Sequence, residues 1–330
     1  MNRRDHILAG IDRASLGLEI APWFSPLAPK REGFNVRTLD VFDFETQMSR
    51  ARQDPEIAEE SYDNIEAIDY IGSACDIARI VPAAEHGSFD YIVSSHNFEH
   101  LPDPIKFLQG CETLLKPGGL LSMAVPDLRG CFDYFRPWTV TADWIEAFVE
   151  GREKPSQRQL FISHSSDACV IQADGVRLGT FPFDQAIERI EHRGGPGLAA
   201  ALKARLADWQ ADTGAGYVDC HCSAMTPSSL ELMLLDCQML GLIGLEIESI
   251  ESSGEFEFYV RLRRAHEPLS VDDGTYTARR NALMRQILIE RKQAINDGTG
   301  EDRTPPGGFV AALRQWNRAR VRRRRTRLAG

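Results

Sequence analysis

The sequence predicts an α/β protein built on a doubly wound, mostly parallel sheet. Two observations carry this expectation. The first 130 residues alternate short apolar runs with segments of helical length, and the run from Gly244 to Arg263 ends in strict two-residue alternation. Runs that are apolar on both faces suit strands covered by helices on either side, whereas alternation suits an antiparallel strand at the margin of such a sheet.

Taken in order, LGLEIA (16–21) is the first strand and ends in the turn APWFSPLAP; NVRTLDVF (35–42) is the second and NIEAIDYIG (64–72) the third. FDYIVSS (89–95) is the fourth strand, and GLLSMAVPD (119–127), after LKPGG, is the fifth. Between the last two, Ile105, Leu108, Cys111 and Leu115 form one stripe at helical spacing, as expected of a helix lying on a sheet face. Thr226-Pro227 starts a further helix that runs to Gly241, with threonine as cap and proline in the first turn. In the closing hairpin Phe256, Phe258, Val260 and Leu262 alternate with Glu257, Tyr259, Arg261 and Arg263. The expected organisation is a nucleotide-binding core over 1–127, a lid or substrate-binding insertion over 128–225, a closing helix and hairpin over 226–265, and a helical appendage over 266–330. The insertion is rich in aromatics, from Phe132, Tyr134 and Phe135 to Phe181 and Phe183. Ordinary packing explains those aromatics as well as ligand contact does.

A chain of 330 residues with 43% hydrophobic content can bury a full core. The absence of a long apolar run and of a signal-like amino terminus leads to the expectation of a soluble, cytoplasmic protein. Seven scattered cysteines imply reduced thiols, and Cys220-His221-Cys222 lacks the second pair a structural zinc site needs. Eight arginines and no acid follow Phe309, leaving about −18 on residues 1–308 of a chain whose net charge is −10. Phe309, Leu313 and Trp316 recur at helical spacing, so the tail is expected to be a basic amphipathic helix against an anionic membrane surface or the acidic body, or else a solvated terminus. Nucleic acid is not the expected partner.

In doubly wound sheets, ligands sit at the carboxyl ends of the strands, and the polar clusters fall there. Glu19 closes the first strand and Asp40 the second, 21 residues later, near the interval that puts an acid on ribose hydroxyls. Asp76-Ile77 follows the third strand, where a carboxylate beside a backbone N–H can read an adenine edge. His96-x-x-Glu99-His100 spells a zinc peptidase site, but that chemistry needs both imidazoles on one continuous helix. Pro102 and Pro104 leave room for a turn or two at most, so no metal is expected.

These residues resemble the class I S-adenosylmethionine-dependent methyltransferases over about residues 1–265, most closely in SFDYIVSSHNFEHLPDPIKFLQGCETLLKPGGLLSMAVPD. GLEIAPWFSPLAP with VPDLRGCFDYFRPWT further resembles a type 11-like subgroup found with glycan and polysaccharide biosynthesis. The resemblance implies a Rossmann-like methyltransferase fold on a seven-stranded sheet, with S-adenosylmethionine as cofactor. It places the methionine end on the turn after Glu19 (Ala21, Pro22), ribose on Asp40, adenine on Asp76 and Ile77, and the methyl group near Ser94, Ser95 and His96. The family's first turn is glycine-rich, whereas Glu19-Ile20-Ala21-Pro22-Trp23-Phe24 has none. Proton removal from a hydroxyl acceptor calls for a group at the ends of strands four and five. The candidates are Asp127 and the bases His96 and His221, with Asp133 and Arg136 contacting the acceptor or simply pairing with each other. The acceptor is expected to be a sugar, glycan or other small hydroxyl compound. The competing reading is a non-catalytic scaffold on a degenerate version of the fold.

Overall fold

The computed structural model describes residues 2–55, 57–211 and 216–293; the arginine-rich tail lies outside the described residues. After a first short helix, α1 (Arg3–Ile7), the chain lays down β1 (Gly17–Ile20), β2 (Val36–Asp40), β3 (Tyr70–Ile71), β4 (Phe89–Ser95) and β5 (Leu115–Pro126), later closed by the hairpin of β9 (Leu245–Ser252) and β10 (Glu257–Arg264). The seven strands stand in the order β3-β2-β1-β4-β5-β10-β9. β1 to β5 run parallel, while β10 is antiparallel to both β5 and β9. This is the expected Rossmann-like sheet. Its order reverses at β1, which is flanked by β2 and β4, and that reversal opens a crevice at the strands' carboxyl ends.

β1 is buried along its whole length. Gly17 is required there, because a Cβ would stand 1.9 Å from the Tyr91 ring on β4. The helices on the two faces are α2 (Phe44–Gln53), α3 (Ile77–Ile80) and α4 (Pro104–Leu114) among others. Asp103 caps α4 through the Lys106 amide at 3.0 Å, Pro104 fits its first turn, and Ile105, Phe107, Leu108 and Cys111 are buried beneath it.

Two elements differ from expectation. The third strand shrinks to two residues, preceded by a 3-10 turn over 59–64, because the Asp69 carboxylate accepts from the Thr38 amide at 2.8 Å, where a neighbouring strand's carbonyl would otherwise do so. The fifth strand starts at Leu115, earlier than the LKPGG turn suggested, with a register shift between Phe89↔Leu115 and Tyr91↔Leu120 that absorbs the glycines.

Residues 128–225 carry α5 (Thr141–Glu150), α6 (Gln157–Ser165), a small sheet of β6 (Ala168–Ile171), β7 (Arg177–Leu178) and β8 (Ile190–His192), and α7 (Leu198–Ala211). Trp144 of α5 is 1% exposed and meets Phe98 edge-on, so this segment shares the main core. α8 (Pro227–Met239) follows, and α9 (Asp273–Gln293) docks on it: Glu290 accepts from the hydroxyls of Thr226 (2.5 Å) and Ser228 (2.7 Å). All seven cysteines are unpaired and buried. No helix among the described residues is long and apolar enough to cross a membrane.

Candidate functional site

The turn after β1 is held from within. Glu19, 2% exposed, accepts from the amides of Leu27 (2.5 Å) and Ala28 (2.9 Å), folding 21–28 back over the strand end. Burial pushes its carboxyl up to about 7 against the pull of those two amides. Within this turn Ala21 has φ +53° and Trp23 φ +39°. One strand over, at the end of β4, His96 has φ +50° while its amide still donates to the Ala124 carbonyl at 3.0 Å. Left-handed backbone is costly for side-chain-bearing residues. Among the described residues these three are the non-glycine positions that adopt it, and all lie at the carboxyl edge of two adjacent strands, where Ile20 pairs with Ser94.

Asp40 ends β2 with one oxygen on the Phe42 amide (3.0 Å), and burial raises its pKa. Beside it Val41 and Ile71 are each 56% exposed, leaving apolar surface next to a carboxylate. Asp76 pairs with Lys106 (2.6 Å) and Arg79 (2.8 Å), which hold its carboxyl below the usual range. Ile77 is fully buried, so its side chain belongs to the core. Glu19, Asp40 and Asp76 thus sit at successive strand ends, but Glu19 and Asp76 are already engaged by protein groups. At the same edge Ser94 Oγ and Trp23 Nε1 are buried without a hydrogen-bond partner. The orphaned Ser94 Oγ, where β4 pairs with β1, fits a bound polar ligand there, while Trp23 packs against Ala51, Ile57 and Ile65.

The pentapeptide 96–100 is not helical beyond a three-residue 3-10 turn, Phe98–His100, so the paired-helix geometry of a peptidase is absent here. Glu99 is fully buried, and neither of its carboxylate oxygens has a hydrogen-bond partner. His96, His100 and His221 surround it, with ring nitrogens 3.7, 3.8 and 3.8 Å from Glu99 Oε1. His221 arrives from far along the chain because the Glu99 carbonyl accepts from the amides of Cys222 (2.6 Å) and Ser223 (3.0 Å). Each ring rests on a carboxylate through its other nitrogen: His96 on Glu257 (2.7 Å), His100 on Asp219 (2.9 Å) and His221 on Asp133 (2.5 Å). Burial works against charge on His100, but Asp219 and Glu99 outweigh it and lift the ring to about 9. Burial likewise opposes the Asp133 anion, yet His221 and Arg136 hold its pKa well below the ordinary value.

Asp127, fully buried, is bound by Arg129 through a two-pronged contact (2.9 and 2.6 Å) and also takes the Arg129 amide at 3.0 Å. Burial still raises its pKa against that pairing. Its oxygens brace the 128–130 turn and do not face an open edge. Asp133 and Arg136 form the mutual pair anticipated for residues three apart, at 2.9 Å. Sequence reasoning missed Glu99, Asp219, Glu257 and Arg129. Glu99 lay in plain view inside the peptidase spelling, whereas Asp219 and Glu257 carried no signal in their local sequence.

The chain matches the model of a family described as "Methyltransferase domain" over residues 16–235. Over a shorter stretch it is similar to curated proteins named ubiquinone biosynthesis O-methyltransferase. That of Ralstonia nicotianae is 43% identical over 53 residues, 16% of this chain and 21% of the relative. That of Colwellia psychrerythraea is 49% identical over 35 residues, 11% of this chain and 14% of the relative. These alignments therefore span about a fifth or less of the relatives' length. Among solved structures, an S-adenosylmethionine-dependent methyltransferase from Mesorhizobium loti aligns with TM-score 0.38 and 16% identity, covering 78% of this chain and 95% of that one. A protein from Listeria monocytogenes described as a S-adenosylmethionine-dependent methyltransferase aligns with TM-score 0.40 and 12% identity, covering 80% and 96%. The fold itself is read from the strand order, and the family from the match over two-thirds of the sequence: the chain belongs to the methyltransferase-domain family, enzymes whose cofactor is S-adenosylmethionine.

Proposed function

We propose that this methyltransferase moves a methyl group from S-adenosylmethionine to a hydroxyl oxygen of a small acceptor, with a sugar or glycan as the substrate class and the cytoplasm as its location. The observation that carries the reading is the grouping of left-handed, non-glycine backbone at Ala21, Trp23 and His96 on one edge, since strain of this kind gathers at functional sites. The relatives' name, O-methyltransferase, supports oxygen as the accepting atom. The glycan class rests on the resemblance of GLEIAPWFSPLAP and VPDLRGCFDYFRPWT alone.

When bound, the cofactor supplies an electrophilic methyl on a sulfonium, which leaves by in-line displacement. The protein's part is to hold the nucleoside, align the acceptor and take its proton. In this reading Asp40 accepts from the ribose hydroxyls and the exposed faces of Val41 and Ile71 lie against the base; Asp76 and Ile77 stand near its edge, but the Asp76 carboxylate is held by Lys106 and Arg79 and the Ile77 amide by the Ala74 carbonyl. The first turn and Ser94 to His96 surround the methionine end. His96 is favoured as the base over His221 and Asp127: it is part-exposed at the strand end, and Glu257 orients it through its far nitrogen. His221 is buried and committed to Asp133, and Asp127 to Arg129. The segment 128–225 then serves as the acceptor's lid, with the Asp133–Arg136 pair supporting it from beneath.

The test is calorimetry with S-adenosylmethionine joined to a methyl-transfer screen over nucleotide sugars, oligosaccharides and small hydroxyl compounds. Asp40→Asn is expected to weaken cofactor binding about 10- to 100-fold, the worth of a hydrogen bond to a charged group. Its melting temperature without cofactor should change little. Absence of binding heat for the wild type would instead favour the scaffold reading, in which the glycine-free turn has lost the ligand.

A further inference from the structure

We propose that Glu99, His100 and His221 bind a divalent transition-metal ion, with zinc best suited to this ligand set. Among the described residues this is the group of His, Cys, Asp and Glu whose ligand atoms lie close enough to share an ion, all within 4.8 Å of one another. Sequence reasoning expected no metal here, because it judged the pentapeptide as a helix-borne peptidase motif. The structure takes two neighbours from that motif and completes the set with a histidine 121 residues away.

Three features point to an ion. First, the Glu99 side chain is 1% exposed and both oxygens lack a hydrogen-bond partner. A buried carboxylate left in that condition is strongly disfavoured unless a cation coordinates it. Second, the separations of 3.8 Å from Glu99 Oε1 to His100 Nε2 and to His221 Nε2 are too long for hydrogen bonds. They are about half an ångström longer than the roughly 3.3 Å separating two ligands, each about 2 Å from one tetrahedral zinc, so a small closure would seat an ion. Third, each histidine presents the nitrogen a metal requires. The Nδ1–H of His100 donates to Asp219, and that of His221 to Asp133, which turns both Nε2 atoms toward Glu99, where a bound ion would displace any proton on Nε2. The two rings meet at 84°, so they approach from different directions.

Two histidines and a glutamate leave a fourth position of a tetrahedral ion open. His96 Nδ1, 3.7 Å from Glu99 Oε1, stands beside it, and His96 and His100 are about 30% exposed, so the centre is reachable from the strand edge. Cys220 and Cys222 flank His221 in sequence, but they are not in the cluster, and Cys222 Sγ instead contacts the His100 carbonyl at 3.3 Å. The role of the ion, polarising an acceptor oxygen in the open position, rests on the methyl-transfer reading; the binding site does not.

The test loads the full chain with zinc, removes excess by dialysis and measures metal by mass spectrometry, then repeats the loading with cobalt(II) and records its visible spectrum. The expected result is about one zinc per chain, an intensified cobalt band typical of low coordination number, and a melting temperature that falls on chelation. Glu99→Gln, nearly identical in volume, and His221→Gln should weaken binding by about 100-fold or more. Asp133→Asn, which changes only the support of His221, should weaken it about 10- to 100-fold. Cys220→Ser with Cys222→Ser should leave it unchanged. Lack of stoichiometric zinc and cobalt binding by the folded wild type, or binding that survives Glu99→Gln and is lost with the cysteines, overturns the proposal. Cofactor calorimetry on the same preparations reports the methyl-transfer reading separately, so either reading can fail while the other stands.

Discussion

At the ends of β1 to β3 the carboxylates serve their own neighbourhood: Glu19 holds the amides of Leu27 and Ala28, and Asp76 holds Lys106 and Arg79. At the end of β4 the pattern inverts. There Glu257, Asp219 and Asp133 each orient an imidazole, and the carboxylate at the centre, Glu99, is left unsatisfied. The first half of the edge is shaped backbone stiffened by side chains; the second is an array of side chains positioned by other side chains. Substitutions should therefore cost stability in the braces and chemistry in the array.

The sharpest way to break that contrast is Asp127. Its place after the fifth strand assigned it to the acceptor half, whereas its contacts make it a brace. Replacing it with alanine strands the buried Arg129 guanidinium, 7% exposed, and should lower the unfolding free energy by about 3–5 kcal/mol in urea titration. Folded protein well below its melting temperature should retain methyl transfer. Full stability with lost turnover would return Asp127 to the acceptor.

Glu19 sharpens the same division through pH. Its folded pKa of about 7 lies above the ordinary 4.5, so the fold favours the protonated acid. The sign follows directly: this contribution is complete below pH 4.5 and fades as pH rises through 7, by about 3 kcal/mol in all. Denaturant midpoints measured from pH 4.5 to 8 should fall more steeply for the wild type than for Glu19→Gln. Parallel curves would mean that the two amides hold the anion as firmly as burial disfavours it.

The same contrast explains what could be read from sequence. The core strands were visible because LGLEIA and FDYIVSS are apolar runs whose cause is local, and so was the helix carrying the stripe Ile105, Leu108 and Cys111. The third strand was overread, since an Asp69 side chain bonding to Thr38 replaces ladder contacts that periodicity assumes. The histidine array was largely hidden. His221 reaches Glu99 through backbone contacts between residues more than 120 apart, and Glu257 reaches His96 across 161 positions. No spacing rule connects such residues; only the way β10 and the 220–224 segment return to the edge does.

The smallest expected effect tests whether the first turn is strained backbone. Ala21 holds φ +53°, and left-handed geometry costs an alanine about 1–2 kcal/mol. Against that, Ala21→Gly loses a partly buried methyl and admits a more flexible unfolded chain, together about 1 kcal/mol. A net gain of about 0.5 kcal/mol should remain, with a melting temperature about 1–2 °C higher. Ala51, buried inside α2, supplies the opposite sign: the same replacement there should cost about 1 kcal/mol or more, because a helix interior offers glycine no strain to relieve. Losses of equal size at both positions would show that the turn after β1 is relaxed, and the grouping of left-handed residues at this edge would then no longer argue for a ligand.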